Sequence, residues 1–207
     1  MNDSVLVIDD FFDKEKQKSL QRIMEIDPDI IWVYVLKTVA YNHSTTINQL
    51  RVLDKNIYHP GFGVLVHQVL EREKILSAEY YNDFFADLPS RIESKTDISV
   101  NKLLRVRFNM SFPMKQSVVG YDLPHSDSTE KNVMTFLYYV NDSDGPTTLF
   151  DQHDSVDESC LFDELTIHKK IDPKQGRAII FDSNRLHAGA WPSQNKRFVI
   201  NATFLAD

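Results

Sequence analysis

The sequence predicts a mainly β fold with flanking helices, an α+β protein whose second half forms an antiparallel sandwich, barrel or jelly roll. Three observations carry this. From about residue 100 the hydrophobic period drops to two: Leu104, Val106, Phe108, Met110 and Phe112 alternate with Arg105, Arg107, Asn109 and Ser111, as in a half-buried strand. Further β-rich runs follow at 133–140, 147–150, 165–171, 178–181 and 198–205. Turn-forming clusters separate them: Asp142-Ser143-Asp144-Gly145-Pro146, Asp172-Pro173-Lys174-Gln175-Gly176 and Pro192-Ser193-Gln194-Asn195.

The first half mixes helix and strand. Residues 5–8 read as a short strand ended by Asp9-Asp10. Asp13 is placed to cap a helix bearing Leu20, Ile23 and Met24 at helical spacing, and Pro28 marks a break. Residues 30–39, rich in β-branched and aromatic side chains, read as a strand. Phe62, Leu65, Val66, Val69 and Leu70 suit an amphipathic helix. Tyr80, Tyr81, Phe84, Phe85 and Leu88 suit another, with Pro89 as its stop. No linker or repeat divides the 207 residues. The expectation is one domain over 1–207, with helical support in about 1–100 and a β core in about 100–207.

Composition narrows the chemistry. The single cysteine, Cys160, excludes an intrachain disulfide, a CxxC redox site and a zinc site with two cysteine ligands. Any metal site must draw on the seven histidines and thirty acids. The net charge of −7 argues against a nucleic-acid backbone binder. No apolar run approaches the roughly 18 residues of a membrane span, and the first residues lack a basic, then apolar, signal pattern. The expected compartment is the cytoplasm.

The chemistry-bearing residues lie late in the chain. In His125-Ser126-Asp127, two side chains separated by one residue on an extended segment point the same way and can reach one ion. Alone, the triplet carries no signal and reads as a surface loop. A second histidine, His187, ends a buried-looking segment, 176–187, read as a strand running into a loop, and Arg197 follows ten residues on. Two histidines and a carboxylate can occupy one face of an iron ion and leave positions open. A guanidinium can clamp a carboxylate through two parallel hydrogen bonds.

On these residues the C-terminal half resembles the iron(II)- and 2-oxoglutarate-dependent dioxygenases, in particular the prolyl-4-hydroxylase-like branch. The likeness continues through Phe136-Leu137-Tyr138-Tyr139-Val140-Asn141, through Gly145-Pro146-Thr147-Thr148-Leu149-Phe150, similar to a Gly-Gly-x-Thr-x-Phe segment, and through Pro173-Lys174-Gln175-Gly176-Arg177. It covers about residues 105–205. The resemblance implies a double-stranded β-helix (jelly-roll, cupin-like) core. It implies His125, Asp127 and His187 as ligands of Fe(II), and Arg197 as anchor for the distal carboxylate of 2-oxoglutarate. It further implies O2 as co-substrate, and hydroxylation of an unactivated C–H bond with succinate as coproduct. Tyr139 would add a hydroxyl to the same carboxylate, or be a core aromatic.

Some positions depart from the family pattern. Val199 stands where many relatives have Ser or Thr, so Asn201 or Thr203, on the Arg197 face of that strand, could supply the polar contact. Pro146 replaces a second glycine. Arg107 and Asn109 could line the pocket, although a solvated face is the simpler reading. Trp191 could wall the site or simply pack. The other histidines, His43, His59, His67, His153 and His168, have no carboxylate two residues on, and His67 is expected in a helix, at a core edge or on the surface. Cys160 is expected to be a small buried residue. A proline, in a peptide or free, is the first candidate substrate, with residues 30–51 and 58–62 as candidates for its rim. A non-catalytic jelly-roll binding or assembly module and a different cupin-like metalloenzyme are the alternatives.

Overall fold

A computed structural model describes residues 5–35, 64–114, 121–122, 124–154 and 165–207. Two antiparallel sheets face each other. The larger contains β1 (Leu6–Ile8), β9 (Ala178–Asp182), β6 (Val133–Tyr139), β11 (Arg197–Ala206), β5 (Val100–Ser111), β3 (Val64–Glu71) and β2 (Val33–Val35) in that spatial order, with β4 (Lys74–Ile75) on β3. The smaller runs β10 (Arg185–Gly189), β7 (Thr147–His153), β8 (Ile167–Ile171). The mainly β class and its jelly-roll layout are as the sequence predicts. The N-terminal part is more than helical support: it supplies both edges of the large sheet.

The large sheet is covered on both faces, and strict alternation sorts its side chains. Val106, Phe108, Phe136, Tyr138, Ile180, Ile200 and Phe204 point to one side. There they pack with Leu20 and Met24 of α1 (Lys14–Ile26) and with Leu88 and Ile92 of α3 (Leu88–Lys95). Leu137, Tyr139, Ile179, Phe181 and Val199 point to the other and meet Leu149 and Ile171 of the small sheet. Each such side chain contributes roughly 1.5–3 kcal/mol on burial, so the pattern pins the register: a slip by one residue would exchange the two faces. Asp13 caps α1 as expected, its carboxylate accepting from the Lys16 N–H at 2.8 Å.

Four expectations about elements need correction. Residues 64–71 form β3, not a helix. A register shift between Gln68 and Leu70 marks a bulge. It places Leu65, Val69 and Leu70 on the helix-packed side and Val64, Val66 and Gln68 on the other. That bulged strand spaces its apolar residues like a helix face. The segment after it is α2 (Ala78–Tyr80) continuing into a π-turn, Tyr81–Phe85, and Pro89 opens α3 instead of stopping its predecessor. Proline suits a first helical turn, where its missing N–H would have had no partner. Within 30–39 the described strand is 33–35, and residues 36–39 lie outside the described residues, as do 40–63, His43, His59 and Cys160. Finally, residues 185–189 are strand β10 where a loop was expected, and β5 ends at Ser111, leaving Phe112 45% exposed beside Lys196.

One glycine in the turn before β7 is sterically required. A Cβ on Gly145 would lie 2.5 Å from the Ala190 carbonyl oxygen. The next residue offers only its carbonyl, which accepts from Ala190 N–H at 2.8 Å; a proline does this as well as a glycine, which accounts for Pro146. Among the described residues no helix is long and apolar enough to cross a membrane.

Candidate metal centre and anion anchor

Residues 121–122 and 124–125 lie beside β10, with Asp122 N–H on the Gly189 carbonyl and His125 paired to His187. His125 and His187 exchange both backbone hydrogen bonds, each at 2.9 Å. Residues paired in this way present their side chains on the same face, and the two rings stand 4.4 Å apart. Asp127, two residues on, is held by its N–H to the Ser183 carbonyl at 2.9 Å. The ligand atoms of His125, Asp127 and His187 all lie within 4.8 Å of one another.

Local chemistry suits these groups to a divalent ion. His187 Nδ1 is 3.1 Å from the Arg185 carbonyl, which can only accept, so Nδ1 carries the proton and Nε2 keeps its lone pair. That Nε2 is 3.6 Å from Asp127 Oδ2. Burial, with His125 adding to it, pushes the His187 imidazole down to about 4, so it is neutral near pH 7. Burial alone would raise Asp127, but Arg105 and the two imidazoles hold its carboxyl well below the usual carboxylate range. Arg105 Nη2 donates to Asp127 Oδ1 at 2.5 Å and to Asn201 Oδ1 at 2.8 Å. Thr135 and Asn201 donate to Oδ2 at 2.9 and 3.1 Å. The carboxylate is therefore fixed on its Arg105 side and turns the other oxygen toward His187.

Arg197 occupies the far end of the same cavity, of about 360 Å³. Asn141 brackets it, accepting from the Phe198 N–H at 2.9 Å and donating to the Lys196 carbonyl at 2.7 Å. Arg197 Nη2 donates to Thr147 Oγ1 at 2.8 Å, and its buried Nε has no partner. Thr147 Oγ1 also accepts from the Tyr139 hydroxyl at 2.7 Å, so the threonine proton is free to point elsewhere. Ser111, directly across the strand pair from Arg197, lines this end too. Between the ends the wall is Leu137 and Val199. An apolar middle with a cation at one end and a metal-ligand cluster at the other fits a short dicarboxylate.

Several expected residues stand here, and two are reassigned. His125, Asp127, His187, Arg197, Arg107, Asn109 and Trp191 all line this cavity; the polar face of β5 looks into it, not into bulk solvent. Tyr139 does not line it: fully buried, with burial raising its phenol, it reaches Arg197 through Thr147 and through its ring, 5.7 Å away. Asn201 serves Asp127, not the Arg197 end, because four residues of strand separate it from Arg197 by about 13 Å. Sequence reasoning missed Arg105, Thr135 and Thr147. Of the other described histidines, His67 bridges the Ile31 carbonyl and Ser77 on β3, and His168 meets Asp151 at 2.8 Å.

The family model for the 2OG-Fe(II) oxygenase superfamily matches residues 115–204, which carry all four of these centre and anchor residues. That match covers less than half of the 207 residues and falls on the β core that holds the cavity. Among solved structures, the chain is similar to a 2OG-Fe(II) oxygenase family oxidoreductase from Burkholderia pseudomallei, with a TM-score of 0.61 at 11% identity over 97% of this chain and 85% of that one. It is similar to a Pseudomonas putida prolyl-4-hydroxylase, with a TM-score of 0.56 at 12% identity over 100% and 94%. It is also similar to the epimerase SnoN in complex with Fe3+, alpha ketoglutarate and nogalamycin RO, with a TM-score of 0.58 at 12% identity over 98% and 79%. At such identities the likeness is one of fold. No curated protein matches the chain.

In the protein without metal, Arg105 is the counter-charge of a buried carboxylate. Arg105→Met is expected to lower the stability of the metal-free protein by about 3 kcal/mol, since breaking a buried pair strands one charge. Mn(II) should restore most of the loss, because the ion then neutralises Asp127. Urea unfolding with and without Mn(II) measures both; equal losses in the two conditions would contradict this role.

Proposed function

We propose that this protein is a 2OG-Fe(II) oxygenase that hydroxylates an unactivated C–H bond of a small substrate or peptide. His125, Asp127 and His187 would hold Fe(II), and Arg197 with Thr147 would hold the distal carboxylate of 2-oxoglutarate. The observation that carries this is the single cavity with the three ligand residues at one end and the half-satisfied Arg197 at the other. With O2, iron and 2-oxoglutarate supply the oxidising chemistry, leaving succinate and carbon dioxide. The chain's own residues do the positioning. Arg185 fixes the His187 tautomer, Arg105 and Thr135 orient Asp127, and Asn141 sets Arg197 at the strand end. Leu137 and Val199 keep the middle of the cavity apolar.

A prolyl residue is the first substrate class to try, on the likeness to the prolyl-4-hydroxylase-like branch. The epimerase of similar fold makes a second outcome worth scoring, since the same framework there carries a different reaction name. A cytoplasmic location remains part of the proposal. The test is succinate formation by the metal-loaded protein. It should need Fe(II), 2-oxoglutarate and O2 together, and fall to background in His125→Ala and Arg197→Ala. No succinate from wild type across a substrate panel, or undiminished release by the two variants, would sink this reading and favour a non-catalytic jelly-roll module.

A further inference from the structure

We propose that the part of the cavity over β3 and β5 takes a substrate carrying a free carboxylate, with Arg107 as the residue that recognises it. This rests on the oxygenase reading above and adds the substrate's chemical class. Three arginines line the cavity, each with a buried Nε that has no partner; Arg105 serves Asp127, and Arg197 is the proposed anchor of 2-oxoglutarate. Arg105 is bonded to Asp127 and Asn201, and Arg197 to Thr147. Arg107 has one bond, from Nη2 to Glu71 Oε2 at 2.8 Å, and its buried Nε has no partner.

The backbone is shaped around this residue. Arg107 sits in register between Asn201 of β11 and Gln68 of β3. The shift between Gln68 and Leu70 sends two consecutive residues, Val69 and Leu70, into the helix-side core. Glu71 thereby takes the face that Leu70 would hold in a regular strand, and reaches Arg107. Bulges re-aim side chains beside functional sites, and here the bulge supplies the acid that steadies the guanidinium. The same acid sets the charge of the ligand. The Glu71 carboxylate would repel a dianion such as a phosphate ester more strongly than a monoanionic carboxylate, which can accept from the guanidinium N–H groups that Glu71 does not take. Val35, Val64 and Val66 continue the wall beyond it, so the remainder of the ligand is aliphatic.

The test is a binding screen on the full chain loaded with Mn(II) and 2-oxoglutarate. The probes are free L-proline, L-leucine and N-acetyl-L-proline, their primary amides, and phosphoserine as the phosphate ester. Ligand-observed NMR reads binding and isothermal titration reads affinity. At least one free acid should bind at least tenfold more tightly than its amide. Arg107→Gln should abolish that preference while leaving 2-oxoglutarate affinity within about twofold of wild type. Equal binding of acids and amides, preference for phosphoserine, no binding by any acid, or an undiminished preference in Arg107→Gln would each overturn the proposal. So would loss of 2-oxoglutarate binding in a folded Arg107→Gln, which would give the residue to the co-substrate. The acid-to-amide contrast in wild type stands even where the variant does not fold. A wild type that discriminates acids but never binds 2-oxoglutarate would retain Arg107 and overturn the oxygenase site.

Discussion

Asp127→Ala is expected to abolish divalent-metal binding and, with it, succinate formation. Loss of a group that merely orients a ligand typically costs 10- to 100-fold in metal affinity; removing the ligand itself should cost more than about 100-fold. The same substitution strands the Arg105 guanidinium, whose partners on this side are Asp127 and Asn201. The metal-free protein should therefore also lose about 3 kcal/mol. Asp127→Asn separates the two effects, since it removes the charge and keeps an oxygen for Thr135 and Arg105: metal binding should still fail, with a smaller loss of stability. The pH dependence has a definite sign. Arg105 holds the Asp127 carboxyl below its unfolded value, so its contribution is complete above the ordinary carboxylate range and is lost only as pH falls through the depressed folded value. Mn(II) titration and urea unfolding measure these outcomes, and wild-type metal affinity in Asp127→Ala would remove the residue from the centre.

Arg197→Ala is expected to weaken 2-oxoglutarate binding by about 100-fold while leaving Mn(II) affinity unchanged. A charge-assisted hydrogen bond contributes roughly 1.5–3 kcal/mol, and each 1.4 kcal/mol is about tenfold in affinity. Arg197→Lys should recover part of the loss, because it keeps the charge and forfeits the planar fork. Titration of 2-oxoglutarate into Mn(II)-loaded protein gives the numbers. Unchanged affinity in Arg197→Ala would move the anchor elsewhere, with Arg107 next to test.

The β half was legible because its strands are regular and their residue types unambiguous. Runs at 133–140, 178–181 and 198–205 correspond closely to β6, β9 and β11. β3 was misread because a bulge breaks its alternation, so Leu65, Val69 and Leu70 mimic a helix face. β10 was missed because five residues including a glycine carry little strand preference, and its pairing with β7 and with His125 is long-range. Within the cavity, the residues of the His-x-Asp, second-histidine and arginine pattern were reached through their resemblance to the dioxygenase family. Arg105 and Arg107 were not separable by any local signal. Both stand on the polar face of one strand, and only the packing of a second sheet over that face distinguishes a cavity wall from a wet surface. Thr147 was visible as part of a motif, but its service to both Tyr139 and Arg197 depends on three strands meeting.

The paired backbone bonds between His125 and His187 make the centre a joint between remote pieces of chain. An ion seated there would fasten the 121–128 segment to the small sheet, working like a removable crosslink across a long loop. Occupancy and folding are then two readings of one equilibrium: an ion at about 100 times its dissociation constant adds about 2.7 kcal/mol to the folded state.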